Sequence, residues 1–176
     1  MLQLKYDGTN WTCVTIIGAG AGASGLYASV AILEDQKSTT TDGGSASATT
    51  WNNRDLNTEV TDDDAIVSIS SNQFTPISGD YELIAFAPAF DVDSHRLRLY
   101  NVTGATSVKE GLSALSASAS NETSVAHLAY KFTANGTDAY RIDHYTQTAR
   151  VTNGLGASTD DGSSEVYLTV ILRKLN

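Results

Sequence analysis

The stretch "DYELIAFAPAFDVDSHRLRLYNV" (80–102) decides the fold. Its first half puts Ile84, Phe86 and Phe90 on one side of an extended chain and Tyr81 and Leu83 on the other. Its second half alternates Leu97 and Leu99 with Arg96 and Arg98. A period of two marks a half-buried β-strand, because successive side chains leave opposite faces of the pleat.

The same period recurs on both sides of this stretch. "DAIVSIS" (64–70) aligns Val67 with Ile69, and "VAHLAYKF" (125–132) aligns Leu128, Tyr130 and Phe132. "AYRIDHYTQ" (139–147) aligns Tyr140, Ile142 and His144. "SEVYLTVILRKL" (164–175) aligns Val166, Leu168, Val170 and Leu172. Turn chemistry falls between the strands at "TDDD" (61–64), "PISGD" (76–80), "TGAT" (103–106), "NGTD" (135–138) and "STDDGSS" (158–164). Short strands with such punctuation predict an all-β antiparallel sandwich or barrel. The least decided segment is "VKEGLSALSASAS" (108–120), where Leu112 and Leu115 would also suit a helix. In the last strand Tyr167 and Ile171 lie opposite the Val/Leu row. A strand apolar on both faces is central or sits at a subunit interface, so Tyr167 and Ile171 are the expected interface residues.

The N-terminus reads as a hairpin: "LQLKY" (2–6) and "WTCVTI" (11–16) alternate around the turn "DGTN" (7–10). Two strands alone are marginal, so the apolar residues Leu2, Leu4, Tyr6, Trp11 and Val14 are expected to attach to something else. The following "TIIGAGAGASG" (15–25) contains Gly20, Gly22 and Gly25 in a G-x-G-x-x-G spacing. A dinucleotide turn needs a helix behind it, a second parallel strand and an acidic residue about 20 positions on. Here Leu26, Ala28, Val30 and Ile32 alternate, and "KSTTTDGGSASATT" (37–50) has loop composition. The glycines therefore read as a linker. The expected division is a hairpin over 1–17, a Gly/Ala linker over 18–25 and a β-domain over 26–176.

The chain's 176 residues suffice for one real core. Its hydrophobic content of 41% and mean hydropathy of −0.16 fit a globular chain. No apolar run approaches the roughly 20 residues of a membrane helix, and "MLQLKYDGTNW" lacks a signal-peptide pattern. A net charge of −9 argues against binding by phosphate neutralisation. No membrane or nucleic-acid partner is expected. The single cysteine, Cys13, has no disulfide partner in the chain and no zinc-type spacing.

The segments "YASVAILEDQKSTTTDGG" (27–44), "WNNRDLNTE" (51–59), "IVSISSNQFT" (66–75), "GDYELIAFAPAFDVDSHRLRLYNVT" (79–103) and "EVYLTVILRK" (165–174) together resemble a family of bacteriophage-associated C1q/TNF-like jelly-roll domains. The likeness follows motif order over about residues 26–174. It implies an eight- to ten-stranded jelly roll assembling as a trimer, similar to knobs on phage heads or tail fibres. It names no catalytic residue.

The side chains suggest no enzyme. His95, His127 and His144 show no nucleophile pairing, and no G-x-S-x-G elbow is present. They read as strand residues, with a histidine on a trimer axis as the alternative. Asp62, Asp63 and Asp64, like Asp160 and Asp161, carry oxygen ligands without EF-hand spacing and read as solvated turns. Arg54, Arg96, Arg98 and Arg141 are expected to pair with carboxylates across strands or subunits. Asn10, Asn101, Asn121 and Asn135 open sequons that carry no meaning without a secretion signal.

The resulting expectation is a non-enzymatic virion protein without cofactor or metal. It forms a homotrimeric decoration or cement protein, held to a major capsid protein or another virion protein by the hairpin. A short chain starting at Met1 without a shaft repeat favours the capsid over the tail. The alternative is a tail-fibre knob binding a host-surface glycan or receptor, and a third class is a glycan-active enzyme on the same scaffold.

Overall fold

The computed structural model describes residues 2–6, 9, 11–15 and 26–176. The 18–25 linker expectation and its glycines lie outside the described residues. Strands β1 (Leu2–Tyr6) and β2 (Trp11–Thr15) form an antiparallel pair. After residue 25 come β3 (Tyr27–Lys37), β4 (Thr50–Asn53), β5 (Thr58–Thr61), β6 (Val67–Ser70), β7 (Gln73–Pro76) and β8 (Gly79–Phe90). They are followed by β9 (Asp93–Asn101), β10 (Thr106–Glu110), β11 (Ala114–Ser116), β12 (Thr123–Ala134), β13 (Tyr140–Thr146) and β14 (Glu165–Leu175). No helix occurs among the described residues. The chain after the glycines is therefore an 11-residue strand, not the helix a dinucleotide turn requires.

Two antiparallel sheets make the domain. One has the order β12-β8-β14-β3-β5. The other has seven strands, β10-β9-β13-β7-β6, with β11 also on β9 and β4 on β13. This exceeds the eight to ten strands that the resemblance implied. The surplus is short pieces, such as the three-residue β11 and the four-residue β6 and β7. β6 and β7 are joined by Ser71 and Asn72, with φ of 53° and 61°. Two consecutive left-handed residues make the tight turn whose twist matches a hairpin. Asp62 of "TDDD" accepts the backbone N–H groups of Ile66 (2.8 Å) and Val67 (2.9 Å), which turns the chain into β6.

The core lies between the sheets. Leu33, Leu83, Leu128, Val170 and Leu172 from the five-stranded sheet meet Phe74, Leu97, Leu99 and Ile142 from the other. Aromatic rings bridge them: Phe132 and Tyr140 meet edge-on with centroids 5.1 Å apart, and Phe74 stacks on Tyr140 at 5.9 Å. The domain also ends where it begins, since Tyr27 of β3 is paired with Leu175 of β14.

Residues 108–120 form no helix. Gly111 separates β10 from β11, its N–H donating to the Leu97 carbonyl (2.8 Å). A Cβ at Gly111 would overlap the His127 carbonyl, so a glycine is needed for this close approach. Leu112 and Leu115 are left exposed, at 71% and 62%.

Leu83→Ala should cost about 2–5 kcal/mol in urea unfolding, because Leu83 is fully enclosed. Leu112→Ala should stay within about 0.5 kcal/mol of the parent. Equal effects from the two would contradict this placement of the core.

Candidate self-association face and polar interior

Alternation in β8 places Tyr81, Leu83, Ala85, Ala87 and Ala89 inward. Ile84, Phe86, Pro88 and Phe90 are left half-buried on the outer face of the five-stranded sheet. The register extends this apolar character sideways. Ile84 stands opposite Ala129 on one side and Ile171 on the other, and Ile171 stands opposite Ile32. Residues directly opposite share a face, so Ala129, Ile84, Ile171 and Ile32 form one apolar row across four strands. The next row is His127, Phe86, Thr169 and Glu34. The His127 and Phe86 rings lie 6.2 Å apart. The row on the other side is charged: Lys131, Glu82 and Arg173. There Glu82 accepts hydrogen bonds from the Tyr27 hydroxyl (2.8 Å) and Arg173 Nη1 (3.0 Å), which hold its carboxyl below the usual range. Leu112 extends the apolar surface beyond the sheet edge. Its N–H donates to the His127 carbonyl (2.8 Å), and it lines a cleft of about 470 Å³ with Ile84, His127 and Ala129.

Ile171 is therefore where the alternation placed it, in the middle of the outer face. Tyr167 is not. A register irregularity between Val166 and Leu168 exposes Val166 (43%) and buries Tyr167 (2%). The Tyr167 hydroxyl donates to the Thr41 carbonyl (2.8 Å), and burial pushes the phenol up to about 12. Its ring packs against Gly156, whose φ of 131° favours glycine and where a Cβ would overlap the ring. Tyr167 belongs to the interior of the subunit and shares no face with Ile171.

In the hairpin, Tyr6 stands opposite Trp11, Leu4 opposite Cys13 and Leu2 opposite Thr15. Val14 stands opposite Gln3, so it is out of step with Leu2, Leu4, Tyr6 and Trp11.

The interior also holds a polar group that alternation alone did not reveal. Arg54, between β4 and β5, is 1% exposed. Among the described residues it hydrogen-bonds to no carboxylate, contrary to expectation. Its Nη1 donates to the Leu155 carbonyl (2.8 Å) and its Nη2 to the Tyr167 carbonyl. Burial lowers its pKa to about 10, partly opposed by Asp35. His95 and His144 pair, with His95 Nδ1 and His144 Nε2 2.9 Å apart. His95 Nε2 lies 2.6 Å from Ser124 Oγ. The spacing is that of a nucleophile, base and orienting group, but the electrostatics run the other way. Desolvation, and then the charge of Arg54, push His95 down to about 4 and His144 also well down. A serine–histidine relay gains its strength from a carboxylate that stabilises the imidazolium; here a guanidinium opposes it.

The remaining arginines do find carboxylates. Arg98 and Arg141 share Asp143, and Arg96 pairs with Glu110 at 2.7 Å.

No family model and no curated protein matches the sequence. Solved structures do match in shape. The globular domain of zebrafish complement 1qA protein aligns with a TM-score of 0.54 and 13% identity, over 84% of this chain and 97% of that one. PRD1 vertex protein P5 aligns with a TM-score of 0.52 and 16% identity, over 86% and 100%. Murine APRIL aligns with a TM-score of 0.51 and 12% identity, over 84% and 98%. The fold is a C1q/TNF-like jelly roll.

The histidine pair sets an acid limit. A histidine whose folded pKa lies below its unfolded value of 6.5 gives its full stability above about pH 6.5 and loses it as the pH falls toward 4. For His95 this amounts to roughly 3 kcal/mol, from 1.36 kcal/mol per pKa unit. Asp35, whose carboxyl burial raises, acts in the opposite sense and relieves part of the loss. Urea-unfolding stability should be level from pH 8 to 7 and fall steeply between pH 6.5 and 4. His144→Gln should flatten that slope, and an unchanged slope would contradict this account.

Proposed function

We propose that this chain is a bacteriophage virion structural protein, a homotrimeric capsid-decoration or cement protein with no chemistry of its own. The observation that carries the trimer is the row Ala129, Ile84, Ile171 and Ile32 on the outer sheet face. The inner face of the same sheet already packs on the core, so this second apolar face is accounted for by a neighbouring subunit. A virion setting is supported by the likeness in fold to a PRD1 vertex protein. A non-enzymatic role is supported by Arg54, which weakens the one serine-bonded histidine as a base. The N-terminal hairpin supplies the attachment, and three copies on one trimer raise its effective concentration at the lattice.

Light scattering should give a mass of about three chains, and a monodisperse monomer would remove the reading. Ile171→Asp should yield folded monomers, since an unpaired charge desolvated at an interface costs several kcal/mol, about 3–5 when a buried pairing is broken. Removing residues 1–25 should leave the trimer intact and abolish co-sedimentation with capsids; undiminished co-sedimentation would reject the hairpin as the attachment. Density for this chain on the tail of intact virions, and not the head, would reject the capsid role.

A further inference from the structure

The outer face of the seven-stranded sheet differs from the rest of this acidic chain. The register brings Tyr145 opposite Trp51 and Arg96, Asp143 opposite Asn53 and Arg98, and Arg141 opposite Tyr100. The side chains form a stack. The Arg98 guanidinium lies 4.3 Å from the Trp51 ring centre and 4.5 Å from that of Tyr100. Arg141 lies over Tyr100 at 4.7 Å, and Arg96 lies 6.0 Å from Trp51. Asp143, fully enclosed beneath them, accepts from Arg98 Nε (2.9 Å) and Nη2 (2.7 Å) and from Arg141 Nε (2.7 Å). Three guanidinium groups face two carboxylates, Asp143 and Glu110. The face thus carries a surplus positive charge in a chain of net charge −9.

These groups are held before any ligand arrives. Stacking and the shared carboxylate fix Arg98 and Arg141, which lowers the ordering cost of binding. Among the described residues, no protein acceptor is bonded to the terminal nitrogens of Arg141. At the Arg96 end the surface is concave. A cleft of about 270 Å³ is lined by Arg96, Tyr145, Ser94 and Ser113. It offers a guanidinium, an aromatic ring and two hydroxyl-bearing residues in one place. Guanidinium is the group suited to two-point recognition of a carboxylate. The hydroxyls suit sugar hydroxyls, and the ring offers an apolar body with a polar tip.

We propose that this face binds a carboxylated glycan. One acidic sugar sits in the Arg96–Tyr145 cleft with its carboxylate on Arg96, and the chain runs on across Arg98 and Arg141. The stack lies on the sheet opposite the Ile84–Ile171 face, and Glu110, at the sheet edge, also lines the cleft beside Ile84. Arg96 is the more available guanidinium, 41% exposed, and among the described residues its ionic partner is Glu110 on the rim. Glu110 competes with the ligand for it.

The test is isothermal titration of the full chain at about 0.15 M salt with polygalacturonate, dextran sulfate and neutral dextran. Binding to polygalacturonate in preference to the other two is expected. Arg96→Gln should weaken it about tenfold, the effect of losing one charge-assisted contact. Tyr145→Ala should also weaken it. Glu110→Gln should tighten it severalfold by freeing Arg96. Lys131→Gln, on the other sheet, should leave it unchanged, and light scattering of each variant reports assembly separately. The proposal is overturned if polygalacturonate does not bind, if dextran sulfate binds equally well, or if Arg96→Gln and Glu110→Gln leave the affinity unchanged in folded protein.

Discussion

A guanidinium sealed between two sheets constrains much of the structure around it. The charge of Arg54 cannot be hydrated, and an unpaired buried charge is among the costliest features a fold can contain. The carbonyls of Leu155 and Tyr167 must therefore be brought to it, one from the long connection after β13 and one from the irregular start of β14. This explains why the connection through residues 147–164 lies against the domain and why β14 departs from regular pairing before Leu168. It also explains why Tyr167 turns inward, with Gly156 making room for its ring. Burial first and this charge second keep His95 and His144 neutral, and the two rings hydrogen-bond to each other. Arg54 thus sets the chemistry of the interior as well as the path of the chain.

The second constraint is the width of the interior. β8 continues its inner face with Ala85, Ala87 and Ala89, the last packed with Leu155 of the connecting loop, and over that stretch places its large side chains outside. Large residues on the outward face make that face apolar, because strand alternation leaves them no other place. Close packing within the subunit and an adhesive exterior are two results of one pattern. The other sheet shows the opposite solution: its outward face carries Arg, Trp, Tyr and Asp held to one another, with no comparable aliphatic row.

Much of the fold was legible because strand alternation is a local property. The inward placement of Leu97, Leu99, Leu128, Phe132, Tyr140, Ile142 and His144 follows from counting by two. Ile171 followed from the same count. Tyr167 did not, because an irregular register is defined by the partner strand and leaves no mark in its own sequence. The role of Arg54 was illegible for a related reason: its acceptors are backbone carbonyls 101 and 113 residues away, and a carbonyl has no residue identity. The His95–His144 pair and the arginine stack were legible in part. The strand faces were visible, but which strands would be neighbours was not. Residues 108–120 stayed undecided because the spacing of Leu112 and Leu115 suits a helix as well as a strand; both lie at the surface beside a glycine packed against His127.

The pairing of Tyr27 with Leu175 has a mechanical consequence. Both ends of the domain leave from the same end of one strand pair, and the hydrogen bonds between antiparallel strands run perpendicular to the strands. Opposed tension on the two ends would load those bonds one after another, as in opening a zipper, and not all together. The domain is poorly built to carry tension in series between two anchors. Held by one end alone, it passes no load through β3 and β14, and it behaves as a pendant whose far loops project from whatever holds it.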